Sequence, residues 1–278
     1  MRSNVLTVDI GGTRIKWAVI PADCKPHAAP YNVESMRTLG WLNSSLSSLV
    51  DSSNWAGITH PRRNLAPFDR VGVAICSPLG LASEVRREDL IGDGVPSNLR
   101  ERMALHLRRP IKLFNDAEAW MRGALRTSRE EVRFPCMALI LGTGVGFAYA
   151  KHQQDVCGVE FDKKIKAACL AASAGMDSVE AHQIHDVLGI RFFRYVEAQR
   201  KAWSYLEVRK QVTSRLLALI QDLQNSGFEP KTLFIGGGNA EYVSIRAAKD
   251  KFRHLNIIAL RKPELSFTPD LIPLAGTM

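Results

Sequence analysis

Val5-Leu6-Thr7-Val8-Asp9-Ile10-Gly11-Gly12-Thr13-Arg14-Ile15-Lys16-Trp17-Ala18-Val19-Ile20 decides the reading of this chain. Val5 to Asp9 is a short apolar run rich in β-branched residues, which predicts a strand. Gly11-Gly12 turns the chain, and Ile15 to Ile20 predicts a returning strand. The order strand, Gly/Thr turn, strand recurs weakly at Cys136 to Ala150, around Leu141-Gly142-Thr143-Gly144-Val145-Gly146. Two similar lobes facing one cleft would explain such a repeat. A third glycine turn, Gly236-Gly237-Gly238, follows the strand candidate Thr232 to Ile235.

Between these turns, strands alternate with helices, which makes the class α/β. Arg70 to Ile75 predicts a buried strand, stopped at Ser77-Pro78, and Pro110 to Phe114 another. Helical spacing of apolar residues marks Leu99 to Leu107 and Ala117 to Leu125. Tyr205 to Gln224 carries a long helical pattern through Val208, Val212, Leu216, Leu219 and Leu223, ended by Asn225-Ser226-Gly227. Ala240 to Phe252 predicts one helix, and Asn256 to Leu260 a last strand.

Glycine turns suit phosphate because backbone N–H groups can converge on it with no Cβ in the way. In the first turn, Gly11 and Gly12 supply that backbone, and Thr13 and Arg14 add a hydroxyl and a cation. Asp9 stands at the strand end, where a carboxylate can hold Mg²⁺ directly or through water. The bland alternative is a tight hairpin turn with a solvated Asp. In the second turn, Gly142 and Gly144 fit the start of a G-x-G-x-x-G fingerprint, but Phe147 takes the third glycine's place and a strand follows rather than a helix. Both departures argue against a dinucleotide site. What remains is a second phosphate clamp with Thr143 as hydroxyl donor. Gly236, Gly237 and Gly238 offer a flat close-approach surface for a nucleotide base or ribose, or else a flexible strand-to-helix loop.

Asn115-Asp116 follows a strand and opens a helix. A carboxylate there can take the proton of a hydroxyl that attacks a γ-phosphate. Asn115 can bind a second hydroxyl with donor and acceptor together. The competing role for the pair is to cap the helix that begins at Ala117.

These motifs together resemble a family. Val8-Asp9-Ile10-Gly11-Gly12-Thr13, Val71-Gly72-Val73-Ala74-Ile75-Cys76-Ser77-Pro78-Leu79, Phe114-Asn115-Asp116-Ala117-Glu118-Ala119 and Leu141-Gly142-Thr143-Gly144-Val145-Gly146 stand in the order and spacing of the ROK sugar kinases, within the hexokinase–actin-like superfamily. Gly236-Gly237-Gly238 matches that family's adenosine-side glycines. The resemblance covers residues 4 to about 150 and about 205 to 240. It implies two actin-like (ribonuclease H-like) lobes, each a mixed sheet with flanking helices, around a central cleft. The expected lobes are residues 1–115 and 116–278, the second with a helical insertion. The resemblance implies Asp116 as catalytic base and Asn115 as a sugar ligand. It places Gly11, Gly12, Thr13, Thr143 and Gly144 around the donor phosphates.

The family's Gly-Glu-x-Gly-His stretch has Gly158-Val159-Glu160-Phe161-Asp162-Lys163 as its counterpart, which makes Glu160 the sugar-binding Glu, with no His after it. The family's zinc motif, C-x-C-G-x-x-G-C, has no match in residues 163 to 190, so no structural zinc is expected. Cys157, Cys169, His182 and His185 are too irregularly spaced to replace it. The implied activity is transfer of the γ-phosphoryl of ATP, with Mg²⁺, to a hexose hydroxyl. Polyphosphate as donor, and a non-catalytic sugar or nucleotide sensor on the same scaffold, are the alternatives.

Composition narrows the partners. Net charge is +9 over 278 residues, which favours anionic ligands. The pairs Arg62-Arg63, Arg86-Arg87 and Arg108-Arg109 are dispersed and form no nucleic-acid arm, and no DNA-binding helix-turn-helix precedes Asp9. The five cysteines form no C-x-x-C and several lie in apolar runs, which suggests reduced thiols. Met1-Arg2-Ser3-Asn4 opens no apolar leader, and no apolar run reaches about 18 residues. A cytoplasmic protein is expected, with a small-molecule sugar and a nucleotide or polyphosphate as ligands, no nucleic-acid or membrane partner, and a homodimeric state.

Overall fold

A computed structural model describes residues 3–11, 14–22, 33–37, 67–75, 99–142, 145–158, 204–225, 227–261 and 271–278. The chain divides into two compact units, Met1–Thr127 with Asp270–Met278, and Ser128–Pro269. Each holds a mixed five-stranded sheet with flanking helices, the α/β architecture expected.

In the first unit the sheet order is β3-β2-β1-β4-β5. Its strands are β1 Asn4–Ile10, β2 Arg14–Pro21, β3 Glu34–Arg37, β4 Arg70–Ile75 and β5 Ile111–Asn115. β1 and β2 form the expected hairpin, with Ile10 opposite Ile15 and Asp9 opposite Lys16. β1, β4 and β5 run parallel. Central strands covered on both faces read as continuous apolar runs, as Val5 to Ile10 and Val71 to Ile75 do. One face gathers Leu6, Val8, Ile10, Trp17, Val73 and Leu113 around Met103 of α1 (Leu99–Leu107).

The opposite face carries α2 (Asp116–Thr127), whose Ala119 packs with Ala74 and Phe114. A short closing helix, α5 (Leu271–Gly276), crosses α2 at small residues. A Cβ on Gly123 would overlap the Ile272 carbonyl, and one on Gly276 would overlap the Ala119 carbonyl. This contact moves the boundary between units. The expected break after residue 115 falls after Thr127 instead, and the last residues return to the first unit, because α2 and α5 bury their faces against the first sheet and each other.

The second sheet has the order β10-β9-β6-β7-β8. Its strands are β6 Cys136–Leu141, β7 Val145–Ala150, β8 Val156–Gly158, β9 Thr232–Gly236 and β10 Asn256–Leu260. β6, β7 and β8 pair antiparallel, and β6, β9 and β10 parallel, repeating the pairings of the first unit. The repeat suggested by the two glycine hairpins is therefore a repeat of topology.

The long amphipathic pattern is α3 (Tyr205–Asn225). It buries Val208, Val212, Leu216, Leu219 and Leu223 against Met137, Leu139, Leu233 and Ile257. The single helix expected over Ala240 to Phe252 is two pieces: a 3-10 helix, Gly238–Tyr242, and α4, Ile245–Lys251. Ser244 separates them. Its N–H donates to Thr213 Oγ1 at 2.9 Å, and its hydroxyl caps α4 by accepting from Ala247 N at 3.4 Å. Among the described residues no helix is long and apolar enough to cross a membrane. The helix expected over Leu39 to Val50 and the segment 159–203 lie outside the described residues.

Candidate active site

In the first unit, β1, β4 and β5 end side by side: Ile10 pairs with Ile75, and Ile75 with Asn115. The carboxyl edge of parallel strands is where open α/β sheets bind ligands. Asp9 lies one residue before the end of β1 and is 9% exposed. Its hairpin partner Lys16 places Nζ 3.7 Å from Asp9 Oδ2. Asn115 closes β5 and is 6% exposed. Its Oδ1 accepts from the backbone N–H of Ala117 at 3.0 Å and of Glu118 at 3.2 Å, the N-cap geometry of α2. The helix cap expected for the pair is thus made by Asn115.

Asp116 is the first residue of α2 and is partly buried. Its Oδ1 accepts from Ala117 N at 2.8 Å. Burial pushes its carboxyl up from the usual range to about 7, and the negative charge of Asp9 adds to that rise. Backbone N–H bonds from Ala117 and from Asp116 itself pull the other way and lose. A carboxylate that titrates near neutrality is suited to take a proton at working pH. The charge of Asp9 thus reaches Asp116 and adds to the effect of burial.

In the second unit the site residues are backbone. β6 ends at Leu141 and turns at Gly142; β9 ends at Gly236, which pairs with Ile140 and with Leu260. The three glycines after β9 have separate reasons. Gly236 sits buried in the ladder. Gly237 has φ +92, and a Cβ there would overlap the Leu141 carbonyl and lie 2.7 Å from Leu141 N, so only glycine fits. Gly238 is exposed, and a Cβ on it would meet no described atom within 4 Å. The described protein does not require glycine at 238.

Two polar side chains brace the backbone around this turn. Asn239 Nδ2 donates to Gly142 O at 2.8 Å. Arg261, directly after β10, donates from Nη1 to the carbonyls of Ala240, Glu241 and Val243. Sequence reasoning missed Lys16, Asn239 and Arg261. Lys16 was within reach, by counting across the hairpin from Asp9. Nothing in periodicity or motif marks the other two. Of the expected site residues, Gly12, Thr13, Thr143, Gly144 and Glu160 lie outside the described residues, and Arg14 is described only as backbone in β2.

Among the described residues, no group of three or more His, Cys, Asp or Glu can hold a metal ion. Mg²⁺ needs no such cage: it keeps several waters and takes one or two carboxylates plus substrate phosphates. Asp9, a carboxylate at a strand end beside a glycine turn, fits that habit. Cys136 is buried in β6, and desolvation pushes its thiol up to about 12.

The whole chain is similar to solved structures. A ROK family glucokinase from Streptomyces griseus, in complex with glucose and AMPPNP, matches with TM-score 0.67 at 16% identity, over 99% of this chain and 98% of that one. The fold is that of the ROK sugar kinases. An inorganic polyphosphate/ATP-glucomannokinase from Arthrobacter sp. strain KM shares this ROK fold with TM-score 0.65 at 18% identity, covering 99% of this chain and 96% of that one. A ROK family transcriptional regulator, a homologue of the E. coli MLC protein, shares it too, with TM-score 0.64 at 11% identity over 100% of this chain and 78% of that one. No family model matches the sequence, and no curated protein matches it. Because the ROK fold carries both kinases and a regulator, activity must be argued from the residues.

Proposed function

We propose that this chain is a sugar kinase that transfers the γ-phosphoryl group of ATP to a hydroxyl of a hexose. The observation that carries the reading is Asp116: a partly buried carboxyl at the head of α2, beside Asp9, held near neutrality. A solvated helix-cap Asp has no need of such a setting. Asp116 accepts the proton of the sugar hydroxyl as its oxygen bonds to the γ-phosphorus and the bond from that phosphorus to the ADP oxygen breaks. Asn115 orients the sugar from the same turn, and Glu160 holds a second sugar hydroxyl. Gly11, Gly12, Thr13, Arg14, Gly142, Thr143 and Gly144 receive the donor phosphates. Gly236, Gly237 and Gly238 form the adenosine side. Asp9 is the residue to hold Mg²⁺, directly or through water. When bound, that ion offsets the charge of the phosphates.

A phosphorylation assay over hexoses, amino sugars and N-acyl sugars tests the reading. Sugar phosphate formed with ATP supports it, and the absence of product from every sugar with every donor overturns it. Polyphosphate is the second donor to include, on account of the +9 net charge and the likeness to a kinase that uses both. Product with polyphosphate but not ATP would replace the donor. Sugar or nucleotide binding without turnover would make the chain a sensor.

A further inference from the structure

We propose that Asn239 is a positioning residue that locks the glycine turn after β9 to the glycine turn after β6, so that the adenosine side and one phosphate side of the donor site are set as one piece. This inference rests on the kinase reading above and adds to it a residue that none of the motifs contains.

Three contacts carry it. Asn239 Nδ2 donates to the Gly142 carbonyl at 2.8 Å, across 97 residues of sequence. Gly237 lies against the Leu141 backbone so closely that a Cβ cannot be fitted. From the far end, the Arg261 guanidinium gathers the carbonyls of Ala240, Glu241 and Val243, which fixes the 3-10 helix that presents Asn239. The helix is thus pinned at one end to β10 and at the other to the last residues of β6.

The bond is not needed merely to satisfy a buried carbonyl. Gly142 is only partly buried, so water can serve its oxygen. What Asn239 contributes and water cannot is a fixed distance. Ordering a ligand-contacting turn costs entropy on binding unless the fold has already done so. The Asn239 amide fixes the entry to that turn at Gly142, one residue before Thr143, while β7 fixes its exit at Val145.

The test uses the full chain, with Asn239→Ala and the isosteric Asn239→Asp. Three readouts are needed: amide hydrogen exchange of residues 142–145 without ligand, calorimetric titration with ADP and Mg²⁺, and KM for ATP against kcat. Asn239→Ala should speed exchange at the turn, weaken ADP binding and raise the KM for ATP, each binding constant by about tenfold, the size of one lost hydrogen bond. Sugar KM and kcat should stay within about twofold of the parent. Asn239→Asp should be worse than alanine, because it sets a carboxylate against a carbonyl. Asn239→Gln, which keeps the amide donor on a longer stem, should fall between the parent and alanine, and it reads the same bond should the alanine variant fail to fold.

A general loss of stability would not confine its effect to the turn and the donor. If the parent binds ADP and phosphorylates sugar while Asn239→Ala matches it in exchange and in affinity, this inference fails and the kinase reading stands. If the parent binds no ADP and forms no product with ATP, the ATP reading fails and the donor role of Asn239 fails with it.

Discussion

The two units repeat one strand order and differ where the strands end. In the first, the pair one step before the hairpin turn is Asp9 and Lys16; in the second it is Ile140 and Gly146. The last strand of the first sheet runs into Asn115-Asp116 and a helix, and that of the second into Leu260-Arg261, whose guanidinium closes a 3-10 helix. One shared scaffold thus carries a charged end with Asp9 and Asp116 in the first unit and a glycine end braced by Asn239 and Arg261 in the second.

The sharpest way to break this contrast is at Asp116. Asp116→Ala should lower kcat by about 10²–10⁴-fold, the usual weight of a general base. Sugar affinity should hold, since Asn115 keeps its place through the α2 cap. Steady-state kinetics with a calorimetric sugar titration checks both. An alanine variant with full turnover would sink the assignment of the base. In the second unit the matching change is Gly238→Ala, which introduces a Cβ into space free of described atoms. It should raise the KM for ATP and leave kcat unchanged, which is what loss of uniform binding looks like. If instead Gly238→Ala cut kcat and spared KM, the glycine end would not be the donor's.

Stability sharpens the same contrast one level down. Gly237→Ala forces an L side chain into φ +92 against the Leu141 backbone and should cost about 1–3 kcal/mol. Gly123→Ala should cost a similar amount, about 1–3 kcal/mol, by prising α5 from α2 in the first unit. Gly238→Ala should stay within about 0.5 kcal/mol of the parent. Urea unfolding of the three variants gives the ranking, and equal losses at 237 and 238 would contradict the separate roles given to these glycines.

Much of this was legible because apolar runs and glycine turns act locally. Leu99–Leu107, Cys136–Leu141 and Asn256–Leu260 are found at the bounds that their residues predict, since each is fixed by its own periodicity and flanking breakers. The topological repeat showed for the same reason, through two hairpins that share a turn chemistry. What did not show depends on distant partners. The return of α5 to the first unit rests on Gly123 meeting Gly276, far apart in the chain. The break at Ser244 rests on Thr213 of another helix. Asn115 is seen to cap α2 only once its Oδ1 is found accepting from Ala117 N. Asn239 carries no local signal at all.

The finest distinction concerns pH, and only the charged end should show it. With Asp116 at about 7, kcat/KM should rise tenfold per unit through the acidic range and level off above neutrality. The same shift has a cost. In the folded chain Asp116 holds its proton to about 7, whereas unfolded it releases it near 3.8. Between those values the folded state binds more protons, so this group's contribution to stability falls as pH rises through that window and stays low above it. Asp116→Asn removes the penalty while offering a similar acceptor to Ala117 N. It should therefore stabilise the protein at pH 8, on the order of 1–3 kcal/mol, and change little at pH 3. Asp9→Asn removes the second cause of the shift and leaves the first, so the acid limb should move to lower pH by at most about one unit, whatever happens to the maximal rate. An acid limb that stayed in place in Asp9→Asn would mean that burial alone sets Asp116, and that the two carboxylates, though neighbours, do not act as a pair.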